Sequence, residues 1–403
     1  RMAFNGRLLR IASLRRTCPA VERYSKTTVS SPTSTSTPQA VSPPARERAT
    51  TAAETAEAAE VRSTVVPQGD SLEVAVNWEL TRDSARVSPE SVRVEVGLAD
   101  LEVIRVLNLA IFARLETRIR DNPRLPMDVP AIVFSPHPDD DVISMGGMLR
   151  KLHENRNDIA VAYMTSGNIA VFDHEVRRYL DFLQRFEHDV LGDRVTELDE
   201  LVGRIEEALR TKKPGEVDIP EVQDIKRHIR EAEAVSGVEA LGISRQACRF
   251  LNLPFYQTGT VLKNEIGARD VRIVRELLEE VRPEVIFVAG DLSDPHGTHR
   301  QCKQAIELAL GEYDGARPEI WLYRGAWQEW AVHEADVYVP LSREDLRRKI
   351  FAIFKHQSQK DTAPFPGGHD EREFWQRVDA RNRTTAEELD RLGLPEFHAA
   401  EAF

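Results

Sequence analysis

The sequence predicts an α/β fold: a mostly parallel sheet with helices on both faces, extending from about residue 129 to residue 403. Short apolar runs alternate with longer runs of helical spacing, which is the pattern of a parallel sheet covered on both sides. The strand-like runs are 131–134, 159–163, 249–253, 285–289, 320–323 and 336–339. The helix-like runs are 143–154, 175–186, 222–239, 268–281, 300–310, 343–354 and 371–392. A charged stretch over 191–220 is expected to form a surface helical insertion.

The amino-terminal part of the chain has a different composition. Residues 1–46 contain many basic residues and the single acid Glu22, and residues 30–44 are almost entirely Ser, Thr and Pro. Such a segment cannot bury a core, so we expect a disordered basic leader over 1–62. Its composition is also that of an organelle transit peptide, which stays open as an alternative.

Residues 63–128 are predicted to form an N-terminal arm. Two apolar stretches, 72–76 and 92–96, favour a small hairpin or an extended segment. Apolar residues at helical spacing over 101–119 predict an amphipathic helix, packed on the main domain or on a second subunit of a homo-oligomer.

Charge and cysteine usage limit the classes of partner. A net charge of -12 argues against a nucleic-acid partner, which normally requires a basic face. The three cysteines are scattered and suggest no disulfide framework, so we expect a reducing, cytoplasmic location unless the leader directs the chain to an organelle. No apolar run reaches the ~18 residues of a membrane span.

Two polar clusters follow strand-like runs and predict a mononuclear metal site. His137, Asp139, Asp140 and Asp141 come directly after the run 131–134, and a second cluster with Asp294, His296 and His299 follows the run 285–289. Ligands of open α/β sheets bind at the carboxyl ends of the strands. Imidazole and carboxylate are the ligands that Zn²⁺ accepts besides thiolate. The alternative is a hydrogen-bonded turn in which Asp140 or Asp141 caps the following helix.

The roles of individual side chains follow from the chemistry of such a site. His137 and Asp140 can supply two ligands, and one histidine of the second cluster can supply the third. Asp139 can accept the proton of an attacking water, or alternatively form a hydrogen bond that orients one of the metal ligands. Whichever of His296 and His299 is not a ligand can polarise a carbonyl or protonate a leaving amine. The pair Gly146-Gly147 is expected to allow close approach between a helix and a strand.

These strings resemble the PIG-L/LmbE-like de-N-acetylases. The resemblance rests on Pro136–Asp141, Arg230–Glu233, Asp294–His299 and Lys355–Gln359. A narrower resemblance, to the carboxy-terminal LmbE-like domain of long bacterial proteins named glucosamine-6-phosphate deaminase, rests on Ser144–Gly147, Thr165–Val171, Trp321–Trp330 and Glu373–Arg377. The family implies a Rossmann-like fold, a catalytic zinc or another divalent ion, and removal of an N-acetyl group from an amino sugar or sugar conjugate.

Carried over position by position, the resemblance implies a role for each residue of the motifs. His137, Asp140 and His299 become the metal ligands, Asp139 the general base, and His296 the group that steadies the oxyanion or protonates the amine. Asp141 stands where the family motif has Glu, which leaves the contacts of that residue open. The sugar-phosphate isomerase-like half of the long bacterial proteins is not found in this sequence, so deaminase activity is not implied.

The substrate is expected to be a small amino sugar such as N-acetylglucosamine, its 6-phosphate or a short chito-oligosaccharide. Asn168, Arg300, Arg324, Trp327 and Trp330 are the candidate contacts, because aromatic faces suit a sugar ring and Arg suits a phosphate or a row of hydroxyls. Alternatively, the tryptophans belong to the core and the arginines to surface pairs. Two other interpretations of the whole chain stay open: a non-catalytic sugar-binding module, and a deaminase-related protein of amino-sugar metabolism.

Overall fold

A computed structural model of the protein describes residues 60–68, 71–79, 81–82, 85–86, 90–192, 196–290, 292, 294, 297–325, 329–360 and 372–403. The predicted leader lies outside these residues except for 60–62, which belong to the first strand. The chain divides into two compact units, one up to Arg114 and one from Leu115 to Phe403.

The amino-terminal unit contains a three-stranded antiparallel sheet. Its strands are β1 (Glu60–Gln68), β2 (Ser71–Glu79) and β5 (Glu90–Gly97), in the order β1-β2-β5, and a two-residue pair, β3 (Thr81–Arg82) and β4 (Ala85–Arg86), lies between β2 and β5 in the chain. The predicted stretches 72–76 and 92–96 face each other across β2 and β5, with Leu72 opposite Val96. Helix α1 (Leu98–Arg118) coincides with the predicted helix over 101–119.

The carboxy-terminal unit is built on a five-stranded parallel sheet, which confirms the predicted fold class. Its strands are β6 (Pro130–Ser135), β7 (Asp158–Tyr163), β8 (Cys248–Phe250), β9 (Val285–Ala289) and β10 (Glu319–Tyr323). Their order is β10-β9-β6-β7-β8, and every neighbouring pair runs parallel. The two strands that carry the predicted clusters, β6 and β9, are therefore neighbours at the centre of the sheet.

Helices cover both faces of this sheet. They are α2 (Asp140–Glu154), α3 (Asp173–Phe186), α4 (Thr196–Thr211), α5 (Pro220–Ala240), α6 (Ala268–Val281), α7 (Thr298–Glu312), α8 (Arg343–Ile353) and α9 (Phe374–Arg391). Successive side chains of a strand point to opposite faces. Accordingly Val133 of β6 packs in the core that includes Leu149 of α2, whereas Phe134 packs in the core that includes Leu278 of α6. Each such buried side chain contributes about 1.5–3 kcal/mol relative to exposure.

Two segments differ from the sequence prediction, and a third, the predicted helical insertion, agrees with it. The strand predicted over 336–339 is β11 (Tyr338–Leu341), which lies outside the main sheet and pairs antiparallel with β12 (Ala399–Ala402). The backbone N–H groups of 336 and 337 both donate to the carbonyl of Phe403, which draws the segment to the carboxyl terminus. Strand β8 is shorter than predicted, since Asn252 takes a left-handed φ of 46°. The charged stretch 191–220 contains α4, whose apolar side packs on α3 and α5.

Helix α2 is broken near its start. Met145 has non-helical angles, φ −131° and ψ 28°, so the turn over 140–144 is separated from the long helix that follows. The carbonyl of Ile143 accepts from Arg381 Nη2 at 3.1 Å, and the carbonyl of Ser144 accepts from Lys349 Nζ at 3.1 Å. These two cationic side chains therefore provide hydrogen-bond donors for carbonyl groups on the amino-terminal side of the break.

The opposite side of the break is held by Glu401 of β12. Its carboxylate accepts from the N–H groups of Gly147 and Met148 at 2.9 and 2.7 Å. It also lies 2.6 Å from Lys349 Nζ, and both side chains are 0–1% exposed. A Cβ at Gly147 would lie 2.4 Å from a terminal methyl group of Leu341 of β11 and 3.1 Å from Glu401 Oε1, so glycine allows these side chains to approach α2 closely.

No helix in the described part of the chain is long and apolar enough to cross a membrane.

The buried pair predicts a large loss of stability when one partner is neutralised. Glu401→Gln leaves the Lys349 ammonium buried without a counter-charge, so the free energy of unfolding should fall by about 3–5 kcal/mol in denaturant titration. Adding Lys349→Met should restore part of this loss, because the uncompensated charge is removed. Glu344→Gln, which breaks exposed pairs with Arg347 and Arg348, is the matched control and should change the melting temperature far less. A Glu401→Gln protein as stable as the parent contradicts the prediction.

Candidate metal centre

The candidate metal centre begins on the turn between β6 and α2. Ser135 ends β6, and its hydroxyl donates to the carbonyl of His137 at 2.6 Å. The N–H of Asp139 donates to the same carbonyl at 2.8 Å, and α2 begins at Asp140. Pro136 and Pro138 cannot donate to a ladder, so the strand ends there. This tight turn brings the side chains of His137 and Asp140 to one point.

A second histidine reaches the same point from the turn between β9 and α7. Asp294 accepts from the N–H groups of Thr298 and His299 at 2.7 and 3.3 Å. Gly297 has a left-handed φ of 69°, which a side chain rarely adopts. Asp294 therefore anchors the first turn of α7, and this turn presents the His299 imidazole, which is 1% exposed.

His137, Asp140 and His299 form the predicted cluster. Asp140 Oδ2 lies 3.1 Å from His137 Nδ1 and 3.2 Å from His299 Nε2. One nitrogen of each ring and one carboxylate oxygen lie within 4.8 Å of one another, close enough to hold a single metal ion. Two nitrogens and one oxygen are the donor set that zinc accepts in catalytic sites, with a position left for water or substrate.

Asp140 and Asp141 have different electrostatic surroundings. Burial disfavours the Asp140 carboxylate, but the charge of His299 and the hydrogen bonds from both imidazoles outweigh it, so the pKa of Asp140 lies well below its usual range. Burial raises the pKa of Asp141 to about 7, against the opposing hydrogen bond from Tyr163. The Tyr163 hydroxyl donates to Asp141 Oδ2 at 3.1 Å, and Ser135 Oγ lies 3.3 Å from Oδ1. Asp141 thus supports the turn from inside the domain.

Asp139, the predicted general base, is held by a buried arginine. Arg230 of α5 lies with Nη2 3.1 Å from Asp139 Oδ2 and with Nη1 4.0 Å from Glu233. The Glu233 carboxylate in turn accepts from the N–H and the hydroxyl of Ser358, both at 2.7 Å. Arg230 is 1% exposed, so the orientation of Asp139 is fixed by packing as well as by charge. Arg230, Glu233 and Ser358 lie within strings that resemble the family, although spacing alone assigns them no role.

A small cavity borders Asp139 on another side. It measures about 20 Å³, room for one water, and Ile143, Trp375 and His356 also line it. The His356 imidazole is 4% exposed, and neither ring nitrogen has a hydrogen-bond partner among the described residues. Burial lowers the pKa of His356 to about 4, so the ring is neutral near pH 7.

The predicted substrate contacts have different environments. Asn168 is buried in the turn that follows β7, next to Gly167, where a Cβ would meet Pro138 and Arg230. Arg300 is exposed and donates to the carbonyl of Leu292 at 3.1 Å.

The two remaining described candidates, Arg324 and Trp330, contact each other. The Arg324 guanidinium lies 3.7 Å from the centre of the Trp330 ring and donates to the carbonyl of Gly290. The Trp330 indole N–H donates to the carbonyl of Leu322, as expected of a packed side chain. His296 and Trp327 lie outside the described residues, and their roles stay predictions.

Tyr256, which no sequence motif singled out, borders the cluster. Its ring lies edge-on to that of His137, with the ring centres 6.2 Å apart, and the residue is 4% exposed. Tyr256 follows the end of β8, so the same strand-end rule that selected His137 could have selected it.

The fold and the site together define an α/β protein with a mononuclear candidate metal centre on the turns after two adjacent parallel strands. Residues 132–310 match the family model described as PIG-L: GlcNAc-PI de-N-acetylase. Residues 132–310, less than half of the chain, thus form a PIG-L family domain, and the description of this family names a de-N-acetylase.

One curated relative shares extensive sequence with the chain. It is the putative glucosamine-6-phosphate deaminase-like protein of Bacteroides thetaiotaomicron, with 48% identity over 278 residues. The alignment covers 68% of this chain but only 42% of that protein.

Two solved structures are similar at low identity. A conserved protein of Thermus thermophilus gives a TM-score of 0.42 at 17% identity, over 68% of this chain and 93% of that one. The N,N'-diacetylchitobiose deacetylase of Pyrococcus horikoshii gives a TM-score of 0.41 at 16% identity, over 68% and 83%.

The neutral His356 predicts a specific loss of stability in acid. Its folded pKa of about 4 lies below its ordinary value of 6.5, so the unfolded state binds the proton more readily between these values. The stabilisation is complete above pH 6.5 and is lost as the pH falls towards 4. Relative to His356→Leu, the parent should lose roughly 2 kcal/mol of unfolding free energy between pH 7 and pH 5.

The raised pKa of Asp141 has the opposite effect on the free energy of unfolding, because its buried carboxylate becomes unfavourable as the pH rises towards 7. Comparison of the two proteins at each pH removes this contribution, since both contain Asp141. Parallel stability curves for the parent and His356→Leu would show that His356 is not buried in neutral form.

Proposed function

We propose that residues 129–403 form a metal-dependent de-N-acetylase that removes an N-acetyl group from an N-acetylglucosamine-type amino sugar or sugar conjugate. The observation that carries the proposal is the convergence of His137, Asp140 and His299 within 4.8 Å, inside a PIG-L family domain. The location of the cluster at the carboxyl ends of β6 and β9 supports it, because α/β folds bind their ligands there.

The donor set fits a divalent ion. His137 and His299 would supply imidazole nitrogens, and Asp140 a carboxylate whose low pKa keeps it ionised and available. When bound, zinc or a similar ion lowers the pKa of a water molecule and polarises a carbonyl group. Zinc is the ion that this set suits best, since it accepts both ligand types in three-ligand catalytic sites.

The chain's own residues would move the protons. Asp139, oriented by Arg230, accepts a proton from the attacking water while the water oxygen bonds to the acetamide carbon. The carbon–nitrogen bond then breaks, and the proton passes to the amine nitrogen, so that acetate and the free amino sugar leave. His296 is the proposed donor to the oxyanion or to the amine. Asn168 is proposed to hydrogen-bond the sugar, with Arg300, Arg324 and Trp327 as further contacts.

Variants of the cluster separate metal binding from proton transfer. His137→Ala and His299→Ala should lose the bound metal, measured by elemental analysis, and should release no acetate. Asp139→Asn should keep the metal yet lower kcat by roughly 10²–10⁴-fold, because a positioned base contributes that much. Asp158→Asn, at the opposite end of β7, is the control and should match the parent in both measurements. Loss of metal in Asp139→Asn would make that residue a ligand.

The same assay distinguishes the deacetylase from a deaminase. Acetate and ammonia should be measured together with N-acetylglucosamine, its 6-phosphate, diacetylchitobiose and glucosamine 6-phosphate. The proposal predicts acetate from at least one N-acetylated sugar and no ammonia from glucosamine 6-phosphate. Ammonia without acetate would overturn it in favour of the activity suggested by the relative's name.

A further inference from the structure

We infer that Lys263, seated on the ring of Tyr256 beside the candidate metal centre, binds an anionic group of the substrate, specifically a phosphate monoester of the amino sugar. The inference rests on the proposed function. It adds a specificity-determining residue on a loop to which the sequence motifs assign nothing.

The position of Lys263 links it to the metal centre through one aromatic ring. Its Nζ lies 3.7 Å from the centre of the Tyr256 ring, whose own centre lies 6.2 Å from that of His137. The distance from the ammonium nitrogen to the centre of the His137 ring therefore cannot exceed the sum of these two distances. An acetamide at the cluster would place the rest of a small sugar within reach of this group.

The loop that carries Lys263 is internally bonded. Lys263 Nζ donates to the carbonyl of Thr260 at 2.7 Å. The hydroxyls of Thr258 and Thr260 both donate to the carbonyl of Leu262, and Asn264 N–H donates to the carbonyl of Phe255 at 3.0 Å. The ammonium is held in place over Tyr256 before any ligand arrives, which reduces the entropy lost on binding.

The charge of Lys263 has no carboxylate partner among the residues that the structure describes. None of the ion pairs recorded there includes Lys263, although the side chain is half-buried. Burial lowers its pKa to about 8. The carboxylates of the candidate metal centre have other partners, since Asp139 pairs with Arg230 and Asp140 with two imidazoles.

Several other cations of the described region have carboxylate partners. Lys212 and Lys226 share Asp173 and Asp218. Arg324, the predicted phosphate contact, stacks on Trp330 and lies 3.7 Å from Glu334. A half-buried ammonium that lacks this compensation is best stabilised by an anion brought by the ligand, and Lys binds phosphate as a point charge.

Steady-state kinetics with matched substrates test the inference. Lys263→Gln should raise KM for N-acetylglucosamine 6-phosphate at least roughly tenfold, the effect of losing one charge-assisted hydrogen bond. It should change kcat/KM for unphosphorylated N-acetylglucosamine less than twofold, and Lys263→Arg should restore much of the affinity for the phosphorylated sugar. Lys355→Gln is the matched control, because this lysine also lies over an aromatic ring, that of Phe351, at 4.0 Å.

A binding experiment without turnover separates this inference from the proposed function. Calorimetry with glucose 6-phosphate, which has no acetamide, should show binding to the parent and to Lys355→Gln that is weakened at least roughly tenfold in Lys263→Gln. Glucose and inorganic phosphate serve as probes of the ring and of the anion alone. If this Lys263-dependent binding appears while no sugar releases acetate, the anion site stands and the deacetylase proposal fails.

Equal binding of glucose 6-phosphate by the parent and Lys263→Gln overturns the inference, whether or not acetate is released. The same conclusion follows if the variant loses activity on phosphorylated and unphosphorylated sugars alike.

Discussion

The break in α2 at Met145 is the constraint on which the candidate site depends. It frees backbone carbonyl and N–H groups inside the domain, and a buried polar group without a partner costs about 1–3 kcal/mol. Lys349 of α8 and Arg381 of α9 donate hydrogen bonds to the carbonyl groups, and Glu401 of β12 accepts from the N–H groups. All three lie beyond residue 310, where the family match ends. The part of the chain that the family model does not cover therefore stabilises the helix break that follows Asp139 and Asp140, in addition to the contacts that Ser135, Tyr163 and Arg230 make with the turn itself.

One tight turn directs the three consecutive aspartate side chains, which carry like charges when ionised, to different partners. Asp139 points to Arg230, Asp140 to the two imidazoles, and Asp141 to Tyr163 and Ser135. Each carboxylate therefore has its own partners, although the charges of Asp139 and Asp140 still help to raise the pKa of Asp141. Because Asp141 is already bonded to Ser135 and Tyr163, a longer Glu side chain at this position would have to displace one of them.

Local patterns predicted the parallel sheet and the meeting of the two polar clusters, because both depend on short-range features: apolar runs, prolines that end strands, and polar residues directly after them. The choice of His299 rather than His296 as a candidate ligand came from the family resemblance. The contacts that stabilise the break in α2 could not be predicted. Glu401 lies in a short Ala-rich segment that resembles no strand, and it accepts a hydrogen bond from Gly147, more than 250 residues away in the chain. Trp330 proved to be packed against Arg324 and Leu322, which favours the core alternative for this residue. His296 and Trp327 stay predictions, because they lie outside the described residues.

The candidate catalytic and specificity groups lie on segments of different structural kinds. His137, Asp140 and His299 are fixed by turns at the centre of the sheet, where any shift would disturb the core of both faces. Lys263 lies on the connection between β8 and α6, and Tyr256 links it to the metal centre. Loops of this kind tolerate replacement, whereas the scaffold beneath them does not. Under the proposed function, a change of this loop would alter which anion or sugar is accepted while the candidate metal ligands remain in place, so the family relationship would inform the reaction more than the substrate.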